Sequence, residues 1–289
     1  MQVKAPSARV GEASQNEGPA MTDATPARSE AARPPQPILR KITISDVVDS
    51  LAEGMRDFQA APLYGLFFGA IYAAGGLLIL TTATRGGMGY LVYPLAAGFA
   101  LIGPFVATGL YEVSRRRESG EPLSFAAILA CIGRQGGREL GWMAFVTIFV
   151  FIVWMYQVRL LMALFLGLRS FTTAQEFVSV ILTTPEGWVF LAVGHIVGAI
   201  LAVVLYSLTV VSFPLLLDRD VDFITAMITS VRAVTLNPVP MLGFAAVVMV
   251  LTVAALLPLF LGLIVVLPVL GHATWRLYRR VVAWEEPSH

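Results

Sequence analysis

The chain has 289 residues, 57% of them hydrophobic and only 13% charged, with a mean hydropathy of +0.75. A soluble domain carries about twice that charge. The net charge of +1 argues against a nucleic-acid partner, and the single cysteine, Cys131, excludes an intramolecular disulfide and a multi-cysteine zinc site.

Residues 1–41 are rich in Ala, Pro, Glu, Ser and Gln and hold no apolar run of signal-peptide length. Such a stretch buries too little surface to offset its chain entropy and reads as a disordered tail. Glu12, Glu17, Asp23 and Glu30 speak against a transit peptide.

Apolar blocks then follow at about 61–82, 89–113, 142–167 and 188–216, each long enough to cross a bilayer, which takes roughly 20 residues. A fifth block, 241–282, is longer than one crossing and contains Pro258 and Pro268. Charge decides how to divide it, because Lys and Arg collect on the cytoplasmic side. Arg40, Lys41 and Arg56 precede the first span; Arg115, Arg116, Arg117, Arg134 and Arg138 follow the second. The loop between the first two spans holds only Arg85, and the 168–187 loop only Arg169. A single fifth span would strand Arg276, Arg279 and Arg280 outside. Splitting the block near Leu259 gives spans at about 241–258 and 260–282 and returns those cations to the cytoplasm. The expected fold is an all-α membrane protein of the bacterial inner membrane. It has six transmembrane helices over residues 42–282 and a short tail at 283–289, with both termini cytoplasmic.

A threefold pattern follows. Each hairpin is preceded by a short amphipathic segment: Ser45 to Arg56, Ser124 to Arg134, and Asp222 to Arg232. Ser or Asp at the start can cap the first turn, and an arginine ten or eleven residues later opposes the helix dipole. In the first segment Val47, Val48, Leu51 and Met55 form an apolar face. These three segments are expected to be cytoplasmic interfacial helices.

Polar residues within spans are costly, so they are the first functional candidates. Arg159 lies about 25 Å above Trp142, counted at ~1.5 Å per residue, which suits a snorkelling anchor near the outer interface. Its functional alternative is an anion or headgroup contact. His195 and His272 could ligate a haem or relay protons, but bonds to neighbouring helices are the plainer reading. With His289 the only other histidine, a multi-histidine metal centre is impossible. Asp218, Asp220 and Asp222 surround Arg219 at a span's end; they could hold a hard cation, and more simply cap the next helix. The loop from Tyr111 to Glu118 is a topology anchor that could also attract anionic lipids. The spacings Gly65-x-x-x-Gly69 and Gly194-x-x-x-Gly198 suit internal packing seams. No Walker, zincin, nucleophile-elbow or dinucleotide motif occurs, so no enzyme and no cofactor is expected.

Three stretches carry a resemblance. They are residues 98–116, ending Tyr111-Glu112-Val113-Ser114-Arg115-Arg116; residues 212–222 with 229–232; and residues 267–280, with Gly271-His272-Ala273-Thr274-Trp275-Arg276. Together they resemble the DUF2189 family of bacterial integral membrane proteins over about residues 42–282. Where relatives carry a second histidine after the tryptophan, this chain has Arg276, which weakens a histidine-cluster role around His272 and Trp275. The family is sometimes labelled a cytochrome c oxidase component. An oxidase core needs more haem and copper ligands than three histidines can supply, so the resemblance implies at most an accessory or assembly role. The expected partners are membrane lipids and another membrane protein complex of the envelope. A small-solute or lipid transporter is the alternative, and a haem-binding membrane protein a weaker one.

Overall fold

The computed structural model describes residues 37–84, 92–136, 139–167, 171 and 174–284, with side chains at 83–84, 92–105, 135–136 and 174 left aside. Expectations about residues 1–36, Arg85, Arg138, Arg169 and His289 fall outside these residues. The described chain is almost wholly helical. Strand β1 (Pro37–Leu39) leads into α1 (Ile44–Ala60), α2 (Pro62–Thr84), α3 (Val92–Ser119), α4 (Phe125–Gly136) and α5 (Glu139–Phe165). Then come α6 (Ala174–Thr183), α7 (Pro185–Thr209), α8 (Ser212–Asp218), α9 (Phe223–Leu236), α10 (Pro238–Leu256), α11 (Leu263–Val281) and β2 (Val282–Trp284).

Local chemistry sets the boundaries. Pro62, Pro185 and Pro238 open α2, α7 and α10, at the position where a missing N–H costs nothing. Thr43 caps α1 in a reciprocal capping box with Asp46, so the cap falls two residues before the expected Ser45. Ser124 Oγ accepts from Ala127 N–H and Asp222 from Thr225 N–H, which places the other two caps as expected. The 241–282 block breaks at residues 257–262, where Leu259 and Phe260 take positive φ angles of 51° and 67°. The 188–216 block is interrupted at Val210 and Val211, between α7 and α8. Within the 168–187 loop α6 forms, an element not expected from the charge pattern.

Among the described residues four segments are long and apolar enough to cross a membrane: Pro62–Thr82, Glu139–Phe165, Pro185–Asp218 and Pro238–Leu256. In addition, α3 runs for 28 residues and α11 for 19, the latter ending on Arg279 and Arg280.

The helix ends gather at one pole. Arg40 N–H donates to Val281 O, and β1 pairs antiparallel with β2. Asn237 fastens this strand to the start of α10: its Oδ1 accepts from Ile42 N–H at 2.9 Å, and its Nδ2 donates to Arg40 O at 3.0 Å. Glu139, opening α5, accepts from Phe223 N–H at the start of α9. Tyr278 of α11 donates to Asp218 at the end of α8 at 2.7 Å. The buried core sits at this pole, around Leu215, Met241, Phe244, Trp275 and Tyr278, with a second cluster of Phe68, Leu110, Val113 and Ile128 joining α2, α3 and α4.

The side of α1 that packs inward is not its whole apolar face. Val47, Ser50, Gly54 and Asp57 are its buried residues, whereas Val48 is 57% exposed and Met55 40% exposed. The reason is close approach to α11: a Cβ at Gly54 would lie 2.6 Å from Ala273 N and 2.7 Å from Val269 O, so the two backbones touch. Only a small and polar face fits there. The neighbours of Gly65 are Phe58 and Pro268, and Gly69 faces the backbone of Ile264, so that spacing is an internal seam between α2 and α11. Gly194 is different. Nothing lies within 4 Å of where its Cβ would be, so it is no seam.

Candidate functional site

At the centre of the pole Asp57 of α1 is 3% exposed and bound by two cations. Arg276 of α11 donates to it through Nε to Oδ2 at 2.9 Å and through Nη2 to Oδ1 at 2.8 Å, and Arg117 of α3 also donates to Oδ1. Such forked, charge-assisted bonds fix geometry as well as charge. Ser114 Oγ donates to Asp57 Oδ2 at 2.9 Å and lies 2.8 Å from Nδ1 of the fully buried His272. A hydroxyl has one proton and a carboxylate only accepts, so His272 Nδ1–H must donate to Ser114. That tautomer leaves Nε2 bare, and it has no partner among the described residues.

The three residue types are those of a hydrolytic triad, but the order is wrong for one. The serine stands between acid and imidazole and gives its proton to a carboxylate already held by two guanidiniums. The imidazole donates to the hydroxyl and therefore does not take its proton, so no activated nucleophile results. What the arrangement does is lock α1, α3 and α11 together.

Around it lie further pairs. Glu112 is fully buried and takes two bonds from Arg115, at 2.7 and 2.9 Å, and one from Arg116 at 2.6 Å. Its hydrogen bond raises the pKa of Arg115, keeping that guanidinium charged. Glu118 accepts from Trp275 Nε1 and from Arg279 Nε, both at 3.0 Å. Arg280 reaches Glu53 at 2.6 Å and Asp46 at 3.4 Å. The arginines that the charge pattern marked as cytoplasmic anchors are therefore also the internal clamps of the pole.

The other candidates are placed as follows. Asp218 accepts from Tyr278 and lies 3.5 Å from Arg279 and 3.6 Å from Arg219. Arg219 also sits 4.9 Å over the Trp284 ring. Asp220 shares a polar cavity of about 300 Å³ with Asp218, Arg219, Arg134 and Glu139. Asp222 is the cap of α9, and its hydrogen bonds with Thr225 hold its carboxyl below the ordinary range. No cluster of three metal-ligating groups occurs among the described residues. His195 is exposed on α7, where Nδ1–H donates to Leu191 O of its own helix at 2.7 Å. Arg159 is exposed on α5. The two histidines thus occupy different surroundings, His272 against α3 and His195 in a groove facing α5.

That groove is the second feature. A hollow of about 520 Å³ runs between α5 and α7, with Trp154, Leu161, Gly194, His195, Ala199 and Met249 on its walls. A second, of about 390 Å³, continues it past Trp154, Gly198 and Ala202 to Thr147 and Leu205.

Residues 92–218, from α3 through α8, match the model of a family described as "Predicted integral membrane protein (DUF2189)". Over that stretch, less than half of its length, the chain is similar to DUF2189. It is an integral membrane protein with several apolar helices. The DUF2189 match takes in Glu112, Ser114, Arg117 and the whole α5–α7 groove except Met249, and it stops at Asp218, short of His272 and Trp275. No curated protein and no solved structure matches the chain.

Sequence reasoning missed Asp57, Ser114, Glu112 and Glu118 as site residues. A buried-side aspartate on the polar face of α1, at the spacing of Ser50 and Gly54, was the available signal.

Proposed function

We propose that this chain is a six-span protein of the bacterial inner membrane with both termini cytoplasmic. It works without catalysis, as an accessory or assembly partner of another membrane protein in the envelope, and docks that partner along the α5–α7 groove. The observation carrying this reading is how little of the hairpin the chain itself covers. In the most apolar 18 residues of α5 and of the α7–α8 segment, 6% are buried, against 28% in α2 and 22% in α10. The groove wall carries the small residues Gly194, Ala199 and Ala202, which let another helix backbone come close, while Gly198 lies against Trp154.

The topology rests on two supports. Most of the described Lys and Arg residues gather at the pole, Arg159 apart, as the positive-inside rule requires of a cytoplasmic face. Trp142 and Trp188, both exposed, stand near the starts of the oppositely running α5 and α7, where a bilayer's two interfaces would take them. Transport is less well supported, because His195 is the one polar ring on otherwise apolar groove walls and no polar path leads through it.

Two experiments test the proposal. Reporter fusions after Ser288 and near Thr173 should report a cytoplasmic C-terminus and a periplasmic 168–187 loop; a periplasmic C-terminus removes the sixth span. Tagged full-length protein, purified in gentle detergent, should bring down a reproducible membrane-protein partner that Gly194→Leu releases, since nothing of the chain lies within 4 Å of a Cβ there. Recovery of no partner, or of one indifferent to that substitution, would count against docking at the groove.

A further inference from the structure

Of the cations at the pole, most are neutralised within the chain. Arg115 and Arg116 are held by Glu112, Arg117 and Arg276 by Asp57, Arg279 by Glu118 and Arg280 by Glu53. Five exposed cations of the pole form no ion pair among the described residues: Arg40 and Lys41 just before α1, and Arg56, Arg134 and Arg232. The last three lie within the short helices α1, α4 and α9, ten or eleven residues after Ser45, Ser124 and Asp222.

Each also adjoins exposed apolar side chains of its own helix. On α9, Ile224 (52% exposed), Ile228 (47%) and Leu236 (39%) share the outward face with Arg232, which is the only charge on it. On α1, Ile44, Val48 and Met55 form an outward stripe at helical spacing, flanked by Arg56. On α4, Leu129 is exposed five residues before Arg134. An apolar stripe bordered by an unneutralised cation is what a helix needs at the boundary of acyl chains and headgroups, with the cation reaching the phosphates.

We propose that Arg56 and Arg232, assisted by Arg134, bind anionic phospholipid headgroups, and that the arginine run from Arg115 to Arg117 does not. This reverses the expectation that the Tyr111–Glu118 loop attracts the lipid. Charge complementarity selects the occupant: the outward faces of α1 and α9 offer guanidinium with no carboxylate bonded to it, which matches a phosphodiester carrying a net negative charge and not a zwitterionic headgroup. Arg134 contributes least, because its cavity also holds Glu139, Asp218 and Asp220. The inference is independent of the α5–α7 groove and stands if no protein partner docks there.

Native mass spectrometry of the full-length protein in uncharged detergent tests it, with equal amounts of phosphatidylglycerol and phosphatidylcholine added. The protein should retain phosphatidylglycerol in preference. A cation at a membrane surface is worth roughly fivefold in such binding, so Arg56→Gln and Arg232→Gln should each lower the preference by about that factor, and Arg134→Gln by less. Arg56→Lys and Arg232→Lys should keep it, which separates charge from misfolding. Arg279→Gln should leave it unchanged. Equal retention of the two lipids, or a loss with Arg279→Gln as large as with Arg232→Gln, would overturn the proposal.

Discussion

Arg276 of α11 grips Asp57 of α1 with both arms of its guanidinium across 219 residues of sequence, at 2.9 and 2.8 Å. The same carboxylate takes Arg117 and Ser114 of α3. One buried acid thus joins the first helix, the end of the third and the end of the last. Removing one partner of a buried pair leaves an uncompensated charge, at a cost of about 3–5 kcal/mol. Asp57→Asn should therefore lower the stability of the detergent-solubilised protein by about that much in denaturant unfolding. Ser114→Ala, which removes a donor to Asp57 and leaves the buried His272 Nδ1–H without its acceptor, should cost about 1–3 kcal/mol.

Gly54 is where α1 and α11 touch backbone to backbone. Adding a methyl there forces the helices apart, and overpacking of this kind costs about 1–3 kcal/mol. Gly54→Ala should lower the unfolding midpoint clearly. Gly133→Ala, on α4 with nothing within 4 Å, should be neutral or stabilising by ~0.5–1 kcal/mol through the better helix propensity of alanine.

Thr43 N–H and hydroxyl both donate to Asp46 Oδ2 at 2.8 Å, and these bonds, the backbone one first, hold the Asp46 carboxyl below its ordinary value of 3.8. A depressed acid binds fewer protons folded than unfolded. Its contribution is complete above the unfolded pKa and is lost as pH falls through the lower folded value. Hydrogen exchange in the first turn of α1, corrected for intrinsic rates, should be constant above about pH 5 and rise in acid below about pH 4. Asp46→Asn should abolish that dependence.

Cys131 of α4 is buried, and burial first, then neighbouring Glu112, pushes its thiol pKa up. A protonated, covered thiol is a poor nucleophile. Alkylation by iodoacetamide at neutral pH should be slow in the native protein and complete after unfolding. Rapid native labelling would show that α4 leaves the bundle readily.

Much of the helix layout was legible because lipid exposure leaves a strong signature. Blocks of apolar residues marked α2, α5, α7 and α10, and the cations Arg276, Arg279 and Arg280 required a break that falls at Leu259 and Phe260, within one residue of where charge placed it. The caps Ser124 and Asp222 announced α4 and α9. What stayed hidden depends on partners far apart in the chain. Nothing local tells that Asp57 meets Arg117 and Arg276, or that the small, polar side of α1 faces inward because α11 brings arginines to it. The helix α6 escaped because its ten residues are too short for a span and the 168–187 stretch was read as the loop between two spans. At His195 and His272, residue type alone could not say that one bonds its own helix and the other a serine tied to an aspartate.

The docking role of the α5–α7 hairpin is the central claim, and a photo-crosslinking residue placed at Ala199 in the full-length protein, in intact membranes, tests it most directly. Ala199 lines the groove, and Leu78, 53% exposed on α2, is the control position. The account predicts a discrete protein adduct from position 199 and lipid adducts alone from position 78. Lipid adducts alone from both positions, or the same protein adducts from both, would contradict it.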